Sequence, residues 1–148
     1  MGAVVDTTVF VDLERNAGSR GVADPVGLIG RSLEQCLGPE EEVAISAVTA
    51  SELLHGVHRA TSEHRPRREA FVEAVISVIP VLEFDLLAAR AHARLWAGLA
   101  SAGADVGAHD RIVAATAISM GWRVATANTR HFERIAGLDV VEVRLVGL

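Results

Sequence analysis

The chain has 148 residues, half of them hydrophobic and 22% charged, with a formal net charge of -5. That length suits one domain, residues 1–148, able to bury most of its apolar surface without disulfides or a structural metal. All 14 basic residues are arginine, and the missing lysine excludes a Walker A loop, a Schiff-base enzyme, a kinase ATP site and a Ser-x-x-Lys acylase.

Ala3-Val4-Val5-Asp6 opens the chain as a short buried strand ending on a carboxylate. Apolar residues at Val9, Phe10 and Leu13 then predict a helix over 7–15, followed by a loop over 16–21. Pro25 suits the first turn of a second helix, 26–37, closed by Gly38 and Pro39. Glu40, Glu41 and Glu42 read as a solvated turn. A second strand is expected over 43–46, with a helix over 47–60 directly behind it. After the polar stretch 61–68, Pro66 introduces a helix over 67–78. A short strand, 80–84, leads into a long helix over 85–102 and a glycine-bearing loop. The segment 109–121 is apolar nearly all round, as a central helix would be. Strands over 123–126 and 139–143 complete the chain. This alternation predicts a three-layer α/β/α sandwich around a mostly parallel sheet.

In such folds ligands bind at the carboxyl ends of the strands. The polar residues expected there are Asp6, Ser46, Thr49, Glu52, Asp85, Asp110, Thr126 and Asn128. Taken one at a time, they read as helix caps. Asp6 and Asn128 suit an N-cap, Asp110 suits a first helical turn, and Thr49-Ala50-Ser51-Glu52 matches a capping box. Taken together, they read differently. Carboxylates converging in an apolar crevice raise one another's pKa unless a cation neutralises them. Without lysine, the cation expected is a bound metal, and oxygen donors suit Mg²⁺ or Mn²⁺.

Other patterns point elsewhere or nowhere. Glu52, His55 and His58 mimic a zinc helix but lack further ligands at the usual spacing, which leaves the histidines a surface or dimer-facing role. No Gly-x-Ser-x-Gly and no Gly-x-Gly-x-x-Gly occurs. Trp96 and Trp122 are expected in the core or an interface. The arginines at 59, 65, 67 and 68, and at 111, 123, 130 and 134, suit either exposed ion pairs with Glu63, Glu69 and Glu133 or a phosphate-contacting rim. Cys36 has no partner for an internal disulfide, and neither a leader-like segment nor a membrane-length apolar run is present. A cytoplasmic protein is therefore expected. The acidic balance argues mildly against a phosphate-rich partner.

Four segments, in order, resemble the motifs of PIN-domain nucleases: 4–10 around Asp6, 46–57 around Glu52, 109–117 around Asp110, and 126–132 around Asn128. Size and motif order are similar to the VapC-type toxins of bacterial toxin–antitoxin pairs. The resemblance implies an Mg²⁺- or Mn²⁺-dependent endoribonuclease that forms a homodimer and is inhibited by a VapB-like antitoxin. It implies Asp6, Glu52 and Asp110 as metal-binding acids and Asn128 as a fourth catalytic residue. Thr7 and Thr126 match hydroxyl positions near that site, and Arg111 and Arg130 are candidates for RNA or antitoxin contact. The carboxamide at Asn128, where an acid often stands, lowers the charge available to a second metal. Attack by water implies 5′-phosphate and 3′-hydroxyl ends. The alternative is a PIN-like nucleic-acid-binding or regulatory protein with little turnover. An aspartyl-phosphate enzyme is disfavoured, because lysine and a second Asp two residues after Asp6 are both missing.

Overall fold

The computed structural model describes residues 1–147, with 17–20 described by backbone only. In chain order the elements are β1 (Gly2–Val5), α1 (Thr7–Arg20), α2 (Pro25–Leu37), β2 (Glu42–Ser46), α3 (Ala47–Arg59), α4 (Arg65–Val78), β3 (Val81–Leu82), α5 (Leu86–Ser101), α6 (Ala108–Met120), β4 (Arg123–Thr126), the 3₁₀ turn η1 (Thr129–His131) and β5 (Val140–Glu142). The strands form one parallel sheet in the order β3-β2-β1-β4-β5.

Every residue of β1 is buried, which is what a central parallel strand covered on both faces requires. Its side chains divide the core. Ala3 and Val5 join Phe10, Leu13, Ile29, Val57 and Val75 from α1 to α4. Val4 points the other way, with Val124, Val113, Ala117 and Leu99 on the α5–α6 side. The chain steps outward from β1 to β2 to β3, then returns across β1 to reach β4 and β5. Parallel crossovers are right-handed, so the two directions of travel lay helices on opposite faces. The reversal falls at β1, and the strand ends beside such a switch point open a crevice.

Local chemistry sets the helix boundaries. Asp24 caps α2 by accepting the Gly27 N–H at 3.0 Å, with Pro25 in the first turn. Asp85 caps α5 by accepting from Ala88 at 2.9 Å. Gly121 ends α6 at φ 68°, a left-handed turn that suits glycine. That turn carries Trp122 across β1, where its indole covers Gly2.

Four expectations need correction. The first helix continues through Arg20, past its expected end at 15, and the Asn16 amide stays with it by donating to the Asp12 carbonyl at 2.8 Å. The fourth starts at Arg65, because Pro66 occupies the first turn rather than preceding it. The third strand keeps only Val81 and Leu82, and Phe84 beyond it is exposed. The glutamate run is not wholly solvated: Glu42 starts β2, and Glu41 pairs with Arg123 at 3.3 Å with 13% of its side chain exposed. Among the described residues no helix is long and apolar enough to cross a membrane.

A Cβ on Gly2 would lie 2.3 Å from an indole carbon of Trp122. Gly2→Ala should therefore cost about 1–3 kcal/mol, the usual penalty for overpacking. Chemical denaturation checks this, and an unchanged midpoint would contradict the packing described.

Candidate active site at the carboxyl ends of the strands

Asp6 follows β1 directly and is 2% exposed. A carboxylate there needs strong donors, and it finds two hydroxyls. Thr8 Oγ1 donates to Oδ2 at 2.6 Å, and Thr126 Oγ1, at the end of β4, donates to the same oxygen at 2.8 Å. Each hydroxyl also accepts a backbone N–H from the segment after β4. Ala127 gives its N–H to Thr8 at 3.2 Å, and Asn128 gives its own to Thr126 at 3.0 Å. The backbone of Asp6 is held too, donating to the Ala125 carbonyl at 2.8 Å. Both side-chain bonds fall on Oδ2, so Oδ1 keeps its lone pairs for the crevice.

Glu52 lies in the second turn of α3, behind β2. It does not close the expected capping box. Ser46 is the cap, accepting from the Thr49 N–H at 3.3 Å, which frees Glu52 to reach across to the neighbouring strand end. There Oε1 accepts from the Thr7 hydroxyl at 2.8 Å, itself 3.0 Å from the Thr49 hydroxyl. The other oxygen, Oε2, stands 3.3 Å from Nδ1 of His109. Asp110 lies in the first turn of α6, where the helix dipole favours a negative charge. Its Oδ2 is 3.5 Å from Nδ1 of His131. Asn128 caps η1, its Oδ1 accepting the Arg130 N–H at 3.3 Å.

Desolvation raises the pKa of Asp110, and the charge on Asp6 raises it further. His131 and His109 pull it down and Glu52 pushes it up, with the net shift upward. The acids of three separate elements therefore act on one another electrostatically at one end of the sheet. Among the described residues no three His, Cys, Asp or Glu side chains close into a ready-made metal cage. A cation held here would keep much of its water, as Mg²⁺ does beside one or two carboxylates. Zinc, which asks for a fuller set of nitrogen or sulfur ligands, fits poorly.

The arginines divide sharply. Arg68 pairs with Glu14 at 3.0 Å, and Arg123 with Glu41; neither uses the expected partners Glu63, Glu69 or Glu133. Arg65 and Arg134 donate to the carbonyls of Ala60 and Asp105. Arg111 bonds the Val106 carbonyl at 2.5 Å and lies 4.8 Å from the Trp96 ring centroid. Arg130 is exposed beside Asn128. Trp96 is 55% exposed, which removes it from the core, and Trp122 packs against the α5–α6 side. His55 and His58 are exposed on α3. A cavity of about 720 Å³ between α1, α2 and α4 is lined by none of Asp6, Glu52, Asp110 or Asn128, so volume does not mark the chemistry here.

Sequence reasoning gave no role to Thr8, His109 or His131, and took Thr49 only as a strand-end polar residue and the start of a capping box. A signal was available for Thr8 and His109. A buried strand-end carboxylate in a chain without lysine needs nearby donors, and Thr7, Thr8 and His109 adjoin the acids in sequence.

Because folding raises the Asp110 pKa, the folded protein holds that proton more tightly than the unfolded chain. The contribution favours folding below the ordinary carboxylate pKa and is lost as pH rises through the raised value. Asp110→Asn should therefore raise the melting temperature at neutral pH. The gain should shrink in acid strong enough to protonate an ordinary carboxylate. Thermal melts at both pH values check this, and a variant less stable at neutral pH would contradict it.

Residues 3–138 match the PIN domain family. Ribonuclease VapC1 of Rickettsia felis is 33% identical over 144 residues, covering 97% of each chain. The tRNA(fMet)-specific endonuclease VapC of Shigella flexneri is 39% identical over 97 residues, covering 66% of this chain and 72% of that protein. Among solved structures, DNA-bound VapBC from Salmonella typhimurium matches with a TM-score of 0.77 and 30% identity, covering 95% of this chain and 96% of that one. The fold, the strand-end acids and these likenesses agree: the chain belongs to the PIN-domain family and, within it, to the VapC ribonucleases.

Proposed function

We propose that this protein is the toxin of a toxin–antitoxin pair and hydrolyses RNA phosphodiesters with Mg²⁺ or Mn²⁺, leaving 5′-phosphate and 3′-hydroxyl ends. The observation that carries the reading is the arrangement of Asp6, Glu52 and Asp110. Three elements bring these acids to one end of the sheet, where Asp110 is destabilised as an anion by burial and by the other two. A bound Mg²⁺ or Mn²⁺ would supply positive charge for the phosphate and make a water more acidic.

The chain's own side chains do the rest. Asp6 is fixed through Oδ2 and offers Oδ1. Glu52 is held by Thr7 and His109. One of the three carboxylates takes the proton of the attacking water as general base. Arg130, exposed beside Asn128, is the arginine proposed to contact an RNA phosphate, whereas Arg111 is engaged by the Val106 carbonyl and the Trp96 ring. Because water attacks and the 2′-hydroxyl takes no part, the phosphate stays on the 5′ end.

Asp6→Asn and Asp110→Asn should each lower the RNA cleavage rate by about a hundredfold or more, measured with purified protein and Mg²⁺. Excess EDTA should abolish cutting in the parent. Variants that cut as fast as the parent would overturn the site, and cutting in EDTA would overturn metal dependence. A protein that folds and binds RNA yet never cuts it would support the binding-module alternative.

Two assembly partners follow from the same reading. A VapB-like antitoxin is proposed as inhibitor, in keeping with the VapBC complex that the Salmonella chain comes from. A homodimer is proposed through α5 and the segment before it, where Phe84, Leu86, Leu87 and Trp96 are all exposed. Exposed apolar side chains grouped on one element suit a contact between copies. Leu87→Asp combined with Trp96→Asp should give a monomer by sedimentation, and an undiminished dimer would place the interface elsewhere.

A further inference from the structure

Asn128 stands at the place of the fourth site residue, yet both ends of its amide are engaged. Its Oδ1 accepts the Arg130 N–H at 3.3 Å, which identifies the other amide atom as nitrogen. That Nδ2 lies 3.0 Å from Nε2 of His131. An amide NH₂ only donates, so Nε2 is the acceptor and carries no proton. The ring proton then sits on Nδ1, the atom 3.5 Å from Oδ2 of Asp110. The imidazole is also held in place. Its backbone lies in η1, and the next residue, Phe132, is buried in the α5–α6 core with its ring centroid 6.4 Å from that of His131.

We infer that Asn128 serves the site through His131. Its amide selects the Nδ1–H tautomer of the imidazole, and that N–H steadies the Asp110 carboxylate. Asn128 and His131 are thus positioning residues, and the inference rests on the nuclease reading of Asp110. It also gives the carboxamide a reason to be there. A carboxylate at position 128 has no N–H to offer, so on a neutral ring it would draw the proton to Nε2 and leave Nδ1 facing Asp110 without one. Second-sphere partners of this kind orient the groups that do the chemistry.

The test combines a spectrum with a mutant cycle. Two-bond ¹H–¹⁵N correlation of the histidine rings, with His131 identified by its loss in His131→Gln, should show the Nδ1–H tautomer in the parent. Asn128→Ala should move that ring towards Nε2–H. On RNA with Mg²⁺, Asn128→Ala and His131→Ala should each lower kcat about tenfold with KM unchanged. The double variant should lose no more than either single, because each breaks the same chain of contacts. His131→Asn keeps an amide N–H near the position of Nδ1, so it should restore most of the rate and make Asn128→Ala silent. Losses that multiply in the double variant, or an Nε2–H ring in the parent, would overturn the inference. If the parent cuts no RNA at all, the nuclease reading fails, and the ring spectrum still decides the tautomer.

Discussion

The carboxylate of Asp6 is the group on which the rest of this site depends. It ends the central strand, it is almost wholly buried, and no lysine exists in the chain to neutralise it. Two threonine hydroxyls hold it instead, one from the turn after β1 and one from the end of β4. Hydrogen bonds to a charged group are worth about 1.5–3 kcal/mol each. Because each hydroxyl also accepts a backbone N–H from residues 127 and 128, the acid, the first turn of α1 and the exit from β4 are fixed as one unit. The same unit decides where Asn128 and η1 start, and so where His131 sits relative to Asp110.

Around that fixed point the site carries unrelieved electrostatic tension. Thr7 and His109 engage Glu52, and His131 faces Asp110, but the pKa of Asp110 stays raised. A fold selected for stability alone would not leave Asp6 and Glu52 close enough to raise the pKa of Asp110; sites kept for function commonly do. The net charge of -5 takes on a different meaning in this light. Part of it is concentrated where a divalent cation would offset it, so the total says little about affinity for RNA. The arginines contribute less than their number suggests. Arg68, Arg111 and Arg123 are tied to carboxylates, carbonyls or an indole.

The sheet and its helices were legible because their signals are strong and local. Val4 and Val5 form a strand buried on both faces, Pro25 and Gly38 bracket α2, and the apolar surface of 113–117 places α6 inside. The acids were legible because they end those elements. What escaped depended on contacts distant in sequence. The role of Glu52 turns on a hydroxyl 45 residues away, and the local capping pattern pointed elsewhere. Arg123 finds Glu41 across 82 residues, which no exposed-charge rule anticipates. The turn η1 spans three residues, too few to show a period, and His131 acquires its meaning only once that turn sets it between Asn128 and Asp110.

The central claim is that Asp6 and Asp110 face one divalent cation together. Crystals soaked in Mn²⁺ and measured for anomalous scattering test it most directly. The account predicts a peak in the crevice within coordination reach of Oδ1 of Asp6 and of the Asp110 carboxylate, directly or through one water. No peak there, in crystals of a protein that cuts RNA under the same Mn²⁺ concentration, would contradict it.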